Sequence, residues 1–153
     1  MTSMHASVLA GFATLVVACA SVPANAPKYA RAASPRAGYA NVYVYRIGAY
    51  PILRTPTISI DDKTVFDPAE GSYTVVSVPV GRHQFKVDWA WDTGWPDLVF
   101  PIVVSSEPLY IKISGSFTPT GLQFEAGSYA HGVEPAAAEA ELVQCCRYVS
   151  PNI

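Results

Sequence analysis

The chain has 153 residues, 50% hydrophobic, 14% charged and 12% aromatic, and its 10 Lys+Arg against 12 Asp+Glu give a formal net charge of −2. So few charges beside so many apolar residues exclude a disordered chain, and a near-neutral balance with a pI of about 5.8 lacks the basic footprint of a nucleic-acid binder. The length accommodates one globular domain with terminal extras.

Ala6 to Ala18 form an uncharged apolar run that stops at Cys19. A bilayer core needs about 20 apolar residues to span, so this shorter run reads as the apolar core of a secretory signal. Val16-Val17-Ala18-Cys19 resembles the lipobox of bacterial lipoproteins. By that resemblance, residues 1–18 are a signal peptide cut before Cys19, and Cys19 carries a diacylglyceryl thioether. Its partner is then the lipid bilayer, and two or three acyl chains at about 0.8 kcal/mol per buried CH₂ make a lasting anchor. By analogy with the sorting rule of enteric bacteria, Ala20 lacks the Asp that would retain the protein in the inner membrane. That points to the periplasmic face of an outer membrane.

Residues 19–38 are rich in Ala and Pro, with Lys28, Arg31 and Arg36 and no acidic residue. Without an apolar period they read as a solvated tether with a reach of about 25 Å.

From Tyr39 to residue 150 short β-branched and aromatic runs alternate with turn residues, the pattern of an all-β domain. In Ala40 to Ile47, Val42 and Val44 share one face, and Tyr43 and Tyr45 share the other with polar tips outward. Thr57 to Ile60 and Thr64 to Phe66 form a hairpin through Asp61-Asp62-Lys63. Tyr73 to Val78 and Arg82 to Trp91 are expected to form a second, with Pro79-Val80-Gly81 as its turn. Asp97 to Val104, Leu109 to Ser116 and Leu122 to Ala126 complete the strands, and Pro135 to Val143 reads as a short helix packing through Leu142 and Val143. About seven to eight strands at this spacing favour an antiparallel two-sheet β-sandwich, immunoglobulin-like or PEGA-like, over a barrel.

Asn41-Val42-Tyr43-Val44-Tyr45-Arg46, Ile58-Ser59-Ile60-Asp61-Asp62-Lys63 and Ser77-Val78-Pro79-Val80-Gly81-Arg82-His83-Gln84-Phe85 follow one another in order. Together with Glu141 to Tyr148 they resemble the bacterial lipoproteins grouped as domain of unknown function 2846. The hairpin and the Pro-Val-Gly-Arg-His turn are also similar to PEGA-type surface β-domains. The resemblance implies an envelope lipoprotein and supplies no catalytic residue.

The residues themselves offer little chemistry. His83 has no second His near it in sequence, so a structural hydrogen bond to the turn is expected, and Arg46 is expected to pair with Asp61 or Glu70. Asp61, Asp62, Asp67 and Glu70 lack calcium-loop spacing and read as turn residues. No nucleophile elbow, zinc motif, P-loop or dinucleotide fingerprint occurs, so neither metal nor cofactor is expected. With Cys19 acylated, the adjacent Cys145 and Cys146 remain for a vicinal bridge, an intermolecular bridge, or one buried and one exposed thiol.

The most distinctive segment is Trp89-Ala90-Trp91-Asp92-Thr93-Gly94-Trp95-Pro96, which holds all three tryptophans of the chain. Either Trp89 extends the core face of Phe85 and Val87 while the others cap the sandwich, or Trp89, Trp91 and Trp95 form a platform with Tyr43 and Tyr45. Such a platform would meet a glycan ring or an envelope protein. The expected function is a non-enzymatic binding or assembly module on the cell envelope, with glycan recognition as the alternative and a hydrolase the remaining class.

Overall fold

The structure, a computed structural model, describes residues 21–49, 54–120 and 123–152, with the side chains of 117–126 outside the description. The expected signal peptide and Cys19 fall outside the described residues. Among the described residues nine strands form two sheets: β1 (Tyr39–Arg46), β2 (Thr57–Ile60), β3 (Lys63–Phe66), β4 (Ser72–Pro79), β5 (Gly81–Asp88), β6 (Leu98–Val104), β7 (Leu109–Thr120), β8 (Gln123–Val133) and β9 (Arg147–Tyr148). Helix α1 (Pro135–Cys145) lies between β8 and β9. The first sheet has the order β8-β7-β1-β4-β9 and the second β3-β2-β5-β6. The all-β sandwich with a short C-terminal helix is therefore the architecture.

The β2–β3 hairpin forms where expected, and Asp61 (φ 50°) and Asp62 (φ 61°) both take the left-handed conformation that a two-residue hairpin turn requires. Pro79-Val80-Gly81 does not close a second hairpin. β4 pairs with β1 and β9, and β5 with β2 and β6, so the turn is a corner that carries the chain between sheets. The Val80 N–H accordingly donates to Gly38 O at 2.9 Å rather than across a hairpin. Nor is the pairing wholly antiparallel. β6 returns the chain to the end of the sandwich where β1 starts, so β7 enters parallel to β1, and β9 after α1 lies parallel to β4.

Alternation along the strands builds the inter-sheet core. Val42 and Val44 of β1 meet Ile58, Phe85, Val87, Ile111 and Ile113, all at most 1% exposed. The other face of β1 is equally buried. Tyr43, Tyr45, Tyr73 and Tyr110 form a second cluster with Ala138 and Leu142 of α1. On the helix Ala138 and Leu142, four residues apart, face the sheet, whereas Val143, expected to pack, is 64% exposed. Glu134 caps α1 by accepting from the Ala136 and Ala137 N–H groups.

Arg46 ends β1 on the inward-facing parity and is fully buried. Its Nη1 donates to Arg54 O (2.7 Å) and Pro68 O (2.9 Å), and its Nη2 to Ala49 O (2.7 Å). Its Nε lies 3.6 Å from the Glu70 carboxylate, and its guanidinium 5.2 Å from the centroid of the Trp89 ring. Burial lowers its pKa to about 10, opposed by Glu70, so the cation persists at neutral pH. Glu70 in turn accepts from the Gly48 and Ala49 N–H groups. One guanidinium thus ties three loops together at one end of the sandwich.

Arg46→Met should strand these carbonyls without a donor. The expected loss is about 3–5 kcal/mol of unfolding free energy, read as a lower urea midpoint at unchanged slope, and a midpoint within error of wild type would refute that role.

Candidate functional site

β5 ends at Asp88, and the chain leaves the sheet through a braced loop. The Trp89 N–H donates to Asp97 Oδ1 (3.2 Å), its indole N–H donates to Ser128 Oγ (2.8 Å), and the side chain is 4% exposed within the core. Trp95 folds back edge-on to Trp89, with ring centroids 4.9 Å apart. It covers Gly115 so closely that a Cβ there would stand 2.8 Å from the Trp95 Cη2. Trp91–Thr93 form a single 3-10 turn, closed by Thr93 N–H to Ala90 O (2.9 Å) and by the Thr93 hydroxyl to the same oxygen (2.8 Å). Arg54 pairs with Asp92 beside it. Trp91 itself is 94% exposed.

The five aromatic residues considered as a platform therefore part company. Trp89 is buried in the core, and the half-buried Trp95 braces the loop against it. Tyr43 and Tyr45, both 0% exposed, sit on the outer face of the first sheet beneath α1, and do not join Trp91 at the surface. The physical reason is that β1 is buried on both faces, so its tyrosine parity is covered rather than presented.

What covers it is the segment read as a tether. Residues 27–33 lie along the tyrosine face, with Tyr29 edge-on to Tyr43 and Tyr73 at 6.1 and 5.4 Å. The Ala32 N–H donates to the Tyr43 hydroxyl (2.9 Å) and the Ala30 N–H to the Tyr73 hydroxyl (3.3 Å). Asn41 Nδ2 donates to Ala33 O, the Tyr148 N–H to Pro27 O, and the Arg147 guanidinium to Ala26 O. Arg31 pairs with Glu139 of α1, which also accepts from the Tyr110 hydroxyl at 2.6 Å. Tyr45 donates to Glu141 at 2.8 Å, and Lys112 joins the same carboxylate. The residues that dock this strap were missed in the sequence because composition, not contact, defined them there.

The polar groups singled out in the sequence serve turns. His83 Nδ1 stands 2.6 Å from Asp61 Oδ2 and Nε2 2.8 Å from Pro79 O, so each ring nitrogen faces an acceptor. Asp61 also accepts the Gln84 N–H, Asp67 accepts the Thr57 hydroxyl, and Glu70 pairs with Arg46. No group of metal-ligating side chains occurs among the described residues. Cys145 and Cys146 are joined as a vicinal disulfide at the junction of α1 and β9. No helix among the described residues is long and apolar enough to cross a membrane. A scan against protein-family models, a search of curated proteins and a search of solved structures each found no match.

These contacts set opposite pH limbs. The hydrogen bond to Asp61 raises the His83 pKa above its ordinary 6.5, so that contribution is complete below pH 6.5 and is lost as pH rises through the folded value. The Glu139 pKa is lowered by Tyr110 and Arg31, and that of Glu141 by Lys112, both from an ordinary 4.5. Their contribution is complete above that value and is lost as pH falls through the depressed ones. Urea midpoints measured up to pH 10, the ordinary tyrosine value, should fall on both sides, with the alkaline limb absent in His83→Gln and the acid limb reduced in Glu139→Gln. A wild-type midpoint flat across both ranges would refute the assignment.

Proposed function

We propose that the chain is a lipid-anchored protein of the bacterial cell envelope, held through acylated Cys19 on the periplasmic face of the outer membrane. Its β-sandwich acts there as a non-enzymatic binding and assembly module, of the kind resembled by the lipoproteins of domain of unknown function 2846. The Val16-Val17-Ala18-Cys19 resemblance supports the anchor, and the strap sets its geometry: the chain that follows Cys19 becomes part of the folded body by Ala26, whose carbonyl is held by Arg147. Ala26 lies seven residues after Cys19, a span of at most about 25 Å. An acyl anchor at Cys19 would therefore hold the sandwich against its bilayer instead of on a long leash.

The His83–Asp61 couple offers no general base, because both ring nitrogens are committed to Asp61 and Pro79. A surface suited to a protein partner lies along edge strand β6, where Val99 and Val103 are 54% and 65% exposed beside Pro101. Pro101 has no N–H to give an added strand, so contact there would be through side chains. The glycan alternative has less geometric support, since Trp91 is fully exposed and Trp95 half-buried while Trp89, Tyr43 and Tyr45 are covered.

The test is intact mass and membrane fractionation of wild type beside Cys19→Ala, expressed in the protein's own host. Expected is a membrane-bound chain beginning at Cys19 with a lipid mass increment, absent from the variant. A soluble chain retaining Met1 would overturn the reading.

A further inference from the structure

The two ends of the sandwich are chemically different, and the strap leaves from only one of them. β1 runs from Tyr39 to Arg46, and the end at Arg46 gathers the loops that follow β1, β3 and β5, since Arg46 reaches Ala49, Arg54, Pro68 and the Trp89 ring. Arg147 pairs with Ser72, the first residue of β4, and Gly71 N–H donates to Arg46 O, so β9 stands at this same end. Ala26 and Lys28 are held on Arg147, and from there the strap runs away toward Tyr39. The chain leading back to Cys19 is therefore attached at the Arg46 end.

The first residue of the chain held at this end is Ala26, seven residues after Cys19, a separation of at most about 25 Å. β1 has eight residues, so the opposite end lies about 25 Å farther along the strands. Of the two ends, the one with the shorter path to Cys19 also carries Trp91.

We propose that the Arg46 end of the sandwich is a membrane-contact surface, with the Trp91 indole seated in the headgroup layer of the bilayer that holds Cys19. This rests on the lipid-anchor reading above and adds an orientation to it. Trp91 is nearly fully in water, yet its turn is closed by Thr93 onto Ala90 and flanked by the Arg54–Asp92 pair, so the indole is presented by an ordered turn. An indole combines an apolar body with an N–H donor, and this pairing partitions to the boundary between acyl chains and headgroups. Asp92 pairs with Arg54, and Asp88 and Asp97 share Lys86, so most of the negative charge around the turn, which an anionic lipid surface would repel, is compensated. One indole does not anchor a protein. It is a weak second contact beside a strong first one, which is enough to choose a face.

The experiment uses the full lipidated chain in vesicles of phosphatidylethanolamine and phosphatidylglycerol, with and without brominated acyl chains, compared with Trp91→Phe in the same vesicles. The difference between wild type and variant isolates Trp91, because Trp89 and Trp95 are common to both. Expected is loss of most of the Trp91 emission to the brominated lipid, together with protection of Trp91 from iodide. If the chain is lipidated and floats with the vesicles but Trp91 stays unquenched and open to iodide, the orientation is overturned and the anchor stands. Protection by added peptidoglycan fragments instead of by lipid would also overturn it, in favour of glycan contact. A chain that carries no lipid and does not float overturns both readings.

Discussion

Tyr43 and Tyr45 place two phenol rings on the face of β1 that turns away from the inter-sheet core, and Tyr73 and Tyr110 extend that face onto the neighbouring strands. Leaving such a face in water would forgo roughly 1.5–3 kcal/mol for each large side chain otherwise buried. The phenol hydroxyls also need partners once covered. Helix α1 and the strap meet both demands at once. The helix supplies Ala138, Leu142 and the carboxylates of Glu139 and Glu141, while the strap supplies Tyr29 and the N–H groups of Ala30 and Ala32. Tyr43 and Tyr110 stack at 4.7 Å and 10° between them. The remaining features of the molecule follow from this third layer, including where the chain departs toward Cys19.

The Arg46 cluster is the counterpart within the sandwich. A strand that alternates perfectly must eventually deliver a residue to the point where the sheets part, and here that residue is a cation with backbone carbonyls to bind. Apolar packing alone would leave the carbonyls of Ala49, Arg54 and Pro68 without donors. The guanidinium satisfies them with planar geometry that a lysine ammonium does not reproduce. Its stacking toward Trp89 links the loop after β5 to those after β1 and β3, and Trp89 and Trp95 then brace the turn that exposes Trp91. The exposed tryptophan is thus presented by a structured end, and the proposed membrane contact rests on that structure.

Strand positions were legible in the sequence because period-two alternation and turn residues are local signals. Val42 and Val44 against Tyr43 and Tyr45 located β1, and Asp61-Asp62 located a hairpin. Whether Pro79-Val80-Gly81 joins paired strands or different sheets is decided by which edges are already occupied, and that is not a local property. The strap was illegible for a similar reason: Ala-, Pro- and Lys-containing sequence has no period, and its docking depends on tyrosines distant in sequence, on β1, β4 and β7. Yet a signal was present in β1, whose two faces are both apolar or aromatic, as expected of a strand covered on both sides. β9, two residues long, forms only because the strap and β4 flank it. The tryptophan cluster was legible as a cluster but not as a division of labour, since the end of β5 at Asp88 removes Trp91 from the alternation that Trp89 still obeys.

The third layer and the departure of the chain toward Cys19 both depend on residues 27–33 being part of the fold. Hydrogen exchange of the full chain tests it most directly, followed at the Ala30 and Ala32 amides, which donate to the Tyr73 and Tyr43 hydroxyls. Protection at these two amides is expected well above that of an unstructured chain, with its loss in Tyr43→Ala. Exchange at the rate of a free peptide in the wild-type protein would contradict it, returning the segment to a tether and the sandwich to an unconstrained distance from Cys19.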